Sequence, residues 1–538
     1  MATAAAQAAR SRTGPDPLTA QRVGAALRSG NRAEAEQILR RRLLEAPDDA
    51  DALVTLADIA AGSGSLDEAC ALLARALALV PEAHHLRLRL AALHQQQSHF
   101  PIALTLLQQV PSELRRSFDL RAQEAALLGQ LGRREEEIAL YHELVREQPR
   151  NAPLWMTLGN ALNYAGCRDE AVRALRKAIK LQPSFGEPWW SLANLKRFRF
   201  DDRDVAAMEA ALRRDLGPAD ALHFHFALGR AFEDRSRHEQ SFAHYAAGNR
   251  LRAATLAPAQ ISVAPFVDAA IATVTPPLFA HYEGAGCEQE GPIFVVGLQR
   301  SGSTLIEQIL ASHPEIEGTA ELLTMQHFWD ELARLGALHG RNAFEQILHS
   351  EPSLFREIGE QYLARTQSYR REGKRFFVDK LPANWMNVGL IRLALPNARI
   401  IDARRHPLAC GFSNFKQHYA SGVSFAYSLE SIGRFYRDYL RLMQHFDRVQ
   451  PGAVLHVVNE RLIDDPEREV RRMLGHVGLA FDPACLDFHA NKRAVHTPSA
   501  EQVRRPINRD GVDAWRSYEP WLGALKDSLG AALEHWQD

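Results

Sequence analysis

The sequence predicts two architectures in one chain: an α-helical repeat array, followed by an α/β domain with a parallel sheet and a phosphate-binding loop. Three observations support this fold class. Amphipathic helical patterns recur at a 34-residue step, from Pro47 to Pro81 and again from Pro149 to Pro183. The second half alternates four short apolar runs with helical segments, a pattern typical of parallel sheets wrapped by helices. The runs predicted as strands are Ile293–Val296, Phe376–Val378, Arg399–Ala403 and Ala453–Val458. A glycine-containing loop at 297–304 follows the first of these strands.

The 34-residue step is the tetratricopeptide period, in which each pair of helices buries its apolar face against neighbouring pairs to form an α-solenoid. The clearest copy carries small residues such as Gly159 and Ala171 where neighbouring helices press together. From these patterns we assign a disordered N-terminus, the repeat array, a helical connector and the α/β domain to 1–18, 19–250, 251–290 and 291–538.

The loop 297–304 has the Gly-x-x-x-x-Gly framework of a P-loop, placed between the apolar run Ile293–Val296 and a helical pattern. Glycines let such a turn bend sharply, so that backbone N–H groups converge on phosphate oxygens at the helix N-terminus. An NTPase loop would have Lys at the position of Ser303, and its absence disfavours ATP or GTP hydrolysis. Arg300 supplies positive charge instead. The loop therefore predicts a nucleotide-type anionic ligand.

The loop and its surroundings resemble the 5′-phosphosulfate loop of sulfotransferases, especially the tyrosylprotein and carbohydrate type. The resemblance rests on Arg-Ser-Gly-Ser-Thr-Leu at 300–305, on the pair His313-Pro314 and on Glu321. It implies that the donor is 3′-phosphoadenosine 5′-phosphosulfate (PAPS). It also implies that the loop residues bind this donor: Arg300, Ser301, Gly302, Ser303 and Thr304.

Two further segments resemble the nucleotide site of the same family. Arg405 follows the strand predicted at Arg399–Ala403, and Ser413 lies eight positions on, as in the family's 3′-phosphate site. His406 stands where many relatives have Asp.

The stretch 499–508, with a Trp beyond it, resembles the segment that covers the nucleotide. The family's Lys before that Trp is Ala514 here, so the covering contact is open between Arg504, Arg505, Arg509 and Arg516. The resemblance implies donor contacts for Arg405, Ser413, Ser499 and Arg505.

Glu321 and Lys380 align with the catalytic base and the catalytic Lys of the family. Sulfuryl transfer to a hydroxyl requires a base for the departing proton, and a cation would stabilise charge on the leaving phosphate. Each residue also has a structural alternative. Glu321 could cap a helix beginning near Leu322, and Lys380 could pair with Asp379 at the surface.

Composition restricts the possible partners. Hydrophobic residues make up 46% and charged residues 24% of the 538 positions, as in soluble globular proteins. The formal net charge of −1 provides no overall attraction to nucleic acid or anionic membranes. Five scattered cysteines form no Cys-x-x-Cys pair, and no apolar run of about 18 residues occurs. We therefore expect a cytoplasmic protein without a metal, nucleic-acid or membrane partner.

The two halves together resemble the bacterial tetratricopeptide repeat-containing sulfotransferases. This resemblance implies PAPS-dependent transfer of a sulfuryl group to a hydroxyl, on a protein or peptide tyrosine or on a carbohydrate, with the repeats capturing a protein acceptor or partner. Two alternatives are a P-loop kinase-like phosphotransferase, disfavoured by Ser303, and a non-catalytic nucleotide-binding scaffold, disfavoured by Glu321 with Lys380. Because every donor-type motif lies beyond residue 290, donor binding is expected not to need residues 1–250.

Overall fold

The structure is a computed structural model that describes residues 17–195, 197–257, 260–420, 422–491 and 502–537. The chain divides into two compact units, one ending at Pro149 and one beginning at Arg150. The boundary lies inside the predicted repeat array, so the last repeat helices belong to the same unit as the α/β domain. No helix in the described ranges is both long enough and apolar enough to span a bilayer.

Helical pairs make up the first unit, and several helices begin where the sequence supplies a capping side chain. Asn31 and Asp49 each accept a hydrogen bond from the backbone N–H three residues on, which satisfies a donor at the helix start. Leucines such as Leu53 and Leu73 bury the facing sides of the pairs. The helices are α1 (Pro17–Arg28), α2 (Arg32–Glu45), α3 (Ala50–Gly62), α4 (Leu66–Leu79), α5 (His84–Gln96), α6 (Phe100–Gln108), α7 (Ser112–Arg115), α8 (Phe118–Gln130) and α9 (Arg134–Glu147).

The second unit begins with further helical pairs, and close helix contacts explain their small residues. A Cβ atom on Gly159 would lie 2.7 Å from Cγ of Leu175 on the paired helix, and one on Gly229 would lie 2.6 Å from the Tyr245 ring. Only glycine permits these approaches, in agreement with the predicted repeats. The helices are α10 (Ala152–Tyr164), α11 (Arg168–Leu181), α12 (Glu187–Ala193), α13 (Asp202–Leu212), α14 (Pro218–Glu233), α15 (His238–Ala253), α16 (Ala264–Thr273) and α17 (Pro276–His281).

A parallel five-stranded sheet follows, with strand order β2-β3-β1-β4-β5. The four apolar runs predicted as strands are confirmed. The three-residue edge strand β2 was not predicted, because so short a segment shows no usable alternation. The strands are β1 (Pro292–Gly297), β2 (Ile316–Gly318), β3 (Phe376–Asp379), β4 (Arg399–Arg404) and β5 (Val454–Val458).

Both faces of the sheet are covered, which explains its continuous apolar strands. Ile293 and Val295 of β1 belong to one hydrophobic cluster, and the alternating Phe294 and Val296 belong to a second cluster on the other face. The helices of this domain are α18 (Ser303–Leu310), α19 (Thr324–Leu338), α20 (Ala343–Leu348), α21 (Ser353–Thr366), α22 (Val388–Ala394), α23 (Pro407–Phe415), α24 (Leu429–Val449), α25 (Asn459–Asp464), α26 (Pro466–Val477), α27 (Gly523–Leu529) and α28 (Ala532–His535).

The last repeat helices share a core with the α/β domain. Nδ2 of the buried Asn249 in α15 donates a hydrogen bond of 2.7 Å to the carbonyl of Phe415, at the end of α23. The Phe242 ring stacks on Phe415 and Trp521, with centroid distances of 5.6 and 5.8 Å. Because a buried hydrogen bond and a group of packed aromatic rings connect the two segments, α15 is a structural part of the α/β domain. The sequence-based division at residue 250 therefore separates helices that pack together.

Candidate active site

The residues predicted to bind and react come together because every strand of the sheet runs in the same direction. The loop 297–304 follows β1, Lys380 follows β3 and Arg405 follows β4. The chain moves outward from β1 to one side of the sheet and from β4 to the other. Ligands of open α/β sheets bind where the strand order reverses in this way. The loop after β1 and the basic segment after β4 border this crevice.

The loop after β1 has a backbone that glycine makes possible. Gly297 and Gly302 have φ values of 132° and 102°, in the region that side chains with a Cβ rarely adopt. A Cβ on Gly297 would lie 2.5 Å from the carbonyl oxygen of Ala403 in β4. Within the loop, Oγ of Ser301 donates to the Leu298 carbonyl at 2.7 Å. These constraints hold the loop close to the neighbouring strand end.

We expect Gly297→Ala to destabilise the protein by about 3 kcal/mol or more, through backbone strain and the clash with Ala403. Thermal unfolding of purified variants measures the effect. The matched control is Gly475→Ala, because Gly475 lies within α26 and has no atom near the site of an added Cβ. That change should leave stability unaltered or raise it by up to about 1 kcal/mol. Equal unfolding midpoints for both variants would contradict the described loop geometry.

The first turn of α18 provides the anion-binding end of the loop. Ser303 and Thr304 open this helix and are buried, and its first backbone N–H groups lack partners within the helix. The helix dipole adds a partial positive charge at the same end. Nε of Arg300 donates to Oγ of Ser413 at 3.1 Å. Arg300, predicted to bind the 5′-phosphosulfate, is therefore adjacent to Ser413, predicted to bind the 3′-phosphate.

Arg405 joins the loop to the C-terminal segment. Its guanidinium donates a hydrogen bond of 3.0 Å to the carbonyl of Arg300 and a second hydrogen bond to the carbonyl of Gly511. Its buried Nε has no hydrogen-bond partner among the described residues. Burial lowers the pKa of Arg405, which means that the charged form is poorly solvated. An anionic group of a ligand would stabilise this charge.

The next residue, His406, has a structural role. Its Nδ1 accepts a hydrogen bond of 3.3 Å from the Leu408 backbone N–H and caps α23. Its ring stacks on Trp515 with a centroid distance of 5.2 Å. Burial lowers the pKa of His406, which favours the neutral ring that can accept this hydrogen bond. His406 therefore connects the strand end to the covering segment around Trp515.

Glu321 and Lys380 lie beyond the ends of the adjacent strands β2 and β3 and form an ion pair between Oε1 and Nζ. The Lys380 side chain is 2% exposed, whereas that of Glu321 is 47% exposed. Neither structural alternative from the sequence is observed. The following helix begins only at Thr324, and Asp379 accepts a hydrogen bond of 2.9 Å from the Tyr362 hydroxyl. A buried cation and an accessible carboxylate are thus in contact at the carboxyl edge of the sheet.

A cavity of about 900 Å³ opens over the loop and α23. Eight Arg or Lys side chains and two acidic side chains contribute to its lining, so it suits a polyanion. The sequence analysis missed Asn459, which follows β5, because no local motif marks it. It also missed the lining residues from the repeat region, such as Arg197 and Arg230, for the same reason. Ser301, Glu321 and Lys380 do not belong to the lining, and Ser499 lies outside the described residues. The predicted residues that do line the cavity are Arg300, Gly302, Ser303, Thr304, Arg405, Ser413 and Arg505.

The C-terminal segment forms one wall of the cavity. Of the four Arg residues left open by the sequence, Arg504 and Arg505 line the cavity, whereas Arg509 and Arg516 pair with Asp464 and Asp513 outside the lining. Arg504 also donates to the Asn491 carbonyl at 2.6 Å. In the described ranges, no group of three or more His, Cys, Asp or Glu side chains is arranged to hold a metal ion.

Comparison with known proteins identifies the class to which each part of this fold belongs. Residues 292–483 match the sulfotransferase family, and residues 152–185 match the tetratricopeptide repeat. The α/β domain is therefore a sulfotransferase domain, and the chain combines it with tetratricopeptide repeats.

Three relatives illustrate the range of similarity. An uncharacterised protein of Aquifex aeolicus is 29% identical over 351 residues, which cover 64% of this chain and 46% of the relative. A Caenorhabditis briggsae protein, provisionally named a protein-tyrosine sulfotransferase, is 25% identical over 41% of this chain and 80% of its own length. The mouse heparan sulfate glucosamine 3-O-sulfotransferase 3B1 is 22% identical over 38% of this chain and 50% of its own length. The chain thus spans about half the length of two of these three relatives.

Proposed function

We propose that this protein is a PAPS-dependent sulfotransferase with a hydroxyl acceptor. The observation that carries the proposal is the placement of the Glu321–Lys380 ion pair and of the anion-binding loop at one edge of the sheet. The match of residues 292–483 to the sulfotransferase family supports sulfuryl transfer over phosphoryl transfer. Ser303 agrees with this choice, because a kinase-type loop would carry Lys at that position.

The cavity fits a donor with several negative charges. In the proposed complex, the N-terminus of α18 and Arg300 bind the 5′-phosphosulfate, and Arg405 with Ser413 binds the 3′-phosphate. Arg505 and Trp515 lie in the segment that would cover the nucleoside. Nε of Arg405, which has no hydrogen-bond partner in the part of the chain that the structure describes, is proposed to donate to a phosphate oxygen.

Glu321 and Lys380 supply the chemistry of the reaction. The acceptor oxygen attacks sulfur while the bond from sulfur to the bridging phosphate oxygen breaks, which releases 3′-phosphoadenosine 5′-phosphate. Glu321 takes the proton of the hydroxyl, and its exposure leaves it accessible to an acceptor. Lys380 stabilises the charge that develops on the leaving phosphate, and its burial strengthens this interaction because water is excluded.

The proposed acceptor is a tyrosine of a protein or peptide, or a carbohydrate hydroxyl. The Caenorhabditis briggsae relative is named for transfer to protein tyrosine, and the mouse relative is named for transfer to a glucosamine of heparan sulfate. The helical pairs of the first unit are proposed to capture a protein acceptor or partner, as stacked repeats provide extended binding surfaces. Mass spectrometry of candidate acceptors incubated with isotopically labelled PAPS would identify the modified hydroxyl.

Two measurements on the full chain test the proposed activity. Isothermal titration should show tighter binding of 3′-phosphoadenosine 5′-phosphate than of ATP, because the loop lacks the Lys of NTPases. A sulfate-transfer assay should then show consumption of PAPS in the presence of an acceptor. Preferential ATP binding would favour the kinase-like alternative, and nucleotide binding without transfer to any acceptor would favour a scaffold.

A further inference from the structure

The repeat region contributes a positively charged wall to the cavity of the sulfotransferase domain. This surface, called the repeat wall below, contains Arg197 and Arg199 from the connection between α12 and α13, and Arg230 of α14. Trp190 of α12 lines the cavity as well. Arg197 is exposed and has no ion pair among the described residues, so its charge is available to a ligand. The sequence resemblance, which begins near residue 290, assigns no function to any of these residues.

The repeat wall is held against α23, the helix that carries Ser413. Nζ of Lys416, three residues after Ser413, lies 2.6 Å from Oε1 of Glu233 at the end of α14. Tyr245 donates to the other Glu233 oxygen at 2.8 Å, and Arg230 lies 3.6 Å from the carboxylate. Burial opposes ionisation, but Lys416 and Arg230 outweigh it and lower the pKa of Glu233 to about 2. The Glu233 carboxylate therefore ties the repeat wall to the Ser413 face through its contacts with Lys416, Tyr245 and Arg230.

Strand order determines which part of the donor would meet this wall. Glu321 and Lys380 follow β2 and β3, on one side of β1, whereas α23 follows β4 on the other side. Sulfuryl transfer would therefore occur on the β3 side, away from the repeat wall. The repeat wall faces the nucleotide end of the donor, where the sequence places the 3′-phosphate.

We propose that the repeat region is part of the donor site and that Arg197 contacts the 3′-phosphate of the nucleotide from the wall opposite Arg405. This inference rests on the proposed function, since it assigns a further binding residue to the same donor. The repeats thereby have a second role besides capture of an acceptor. The last repeat helices complete the pocket that distinguishes a 3′-phosphorylated nucleotide from one without that group.

Isothermal titration of the full-length chain with two probes tests this assignment. The probes are 3′-phosphoadenosine 5′-phosphate and adenosine 5′-phosphate, which differ only in the 3′-phosphate. Arg197→Gln should weaken binding of the first probe by about fivefold, the effect of a solvent-exposed ion pair, and binding of the second by less than about twofold. The matched control is Arg173→Gln, because Arg173 is an exposed residue of α11 outside the cavity lining. It should change neither affinity.

The outcomes separate this inference from the proposed function. Unchanged binding of 3′-phosphoadenosine 5′-phosphate by Arg197→Gln, in a protein whose wild type binds it well, would overturn the repeat-wall assignment and leave the sulfotransferase proposal intact. Equal weakening of both probes would also overturn it, since the contact would then not be to the 3′-phosphate. A wild-type protein that does not prefer the 3′-phosphorylated probe would overturn both proposals.

Discussion

Replacing Glu321 by Gln is expected to lower turnover by about 10²-fold or more at saturating donor and acceptor, with donor affinity nearly unchanged. The substitution keeps the size and polarity of the side chain but removes the base. Lys380→Ala should also lower turnover, through lost stabilisation of the leaving phosphate. Since both residues would act in one transition state, the double variant should lose less than the product of the single losses.

Steady-state kinetics and titration with 3′-phosphoadenosine 5′-phosphate measure these two effects separately. Glu315→Gln is the matched control, because the Glu315 side chain is 49% exposed, close to the 47% of Glu321, and lies outside the pair with Lys380. It should retain normal turnover. Near-normal turnover of Glu321→Gln would mean that another group removes the proton, and the catalytic assignment of Glu321 would then be wrong.

Removing residues 1–250 is expected to abolish the folded state, whereas removing residues 1–149 should leave a folded domain that still binds nucleotide. The shorter deletion ends at the boundary between the compact units. The longer one removes α15 and exposes Phe415, Tyr518 and Trp521, which pack or hydrogen-bond with it. Each large apolar side chain loses about 1.5–3 kcal/mol of burial. Several such losses are comparable with a total stability of about 5–15 kcal/mol.

Circular dichroism, thermal unfolding and nucleotide titration of the two truncated proteins measure this difference. A folded 251–538 fragment with normal nucleotide affinity would contradict the shared core and the repeat wall of the donor site.

The 150–538 protein also tests the capture role of the first unit. It should retain activity on a small acceptor and lose activity on a macromolecular one. Full activity on both would show that the first unit does not capture the acceptor.

Much of the architecture could be predicted because it depends on local patterns. The 34-residue repeats, four of the five strands and the loop 297–304 each produce a signal within a few dozen residues. Individual motifs also allowed most donor-site residues to be proposed, since an Arg followed by a Ser eight positions on is a local feature. Strand β2 was missed because three residues carry no periodicity.

Other features depended on contacts between distant segments. The sequence left open which Arg of the C-terminal segment faces the nucleotide; in the structure Arg504 and Arg505 line the cavity. The structural role of His406 also depends on a distant segment, because its stacking partner Trp515 lies more than a hundred positions away. The structure also pairs Lys380 with Glu321, which belongs to a different strand end, although Asp379 is its neighbour in sequence.

The sequence by itself determined the helical repeats, the parallel α/β domain and the chemical types of side chain available for donor binding and catalysis. Periodicity, glycine placement and charge are local properties, and they are readable without the fold. Only the tertiary structure decided where the chain divides into compact units and that Arg197, Arg230 and Glu233 share a cavity with Ser413. The physical reason is that burial and Coulomb interactions act through space, so residues almost 200 positions apart form one site when the core brings them together.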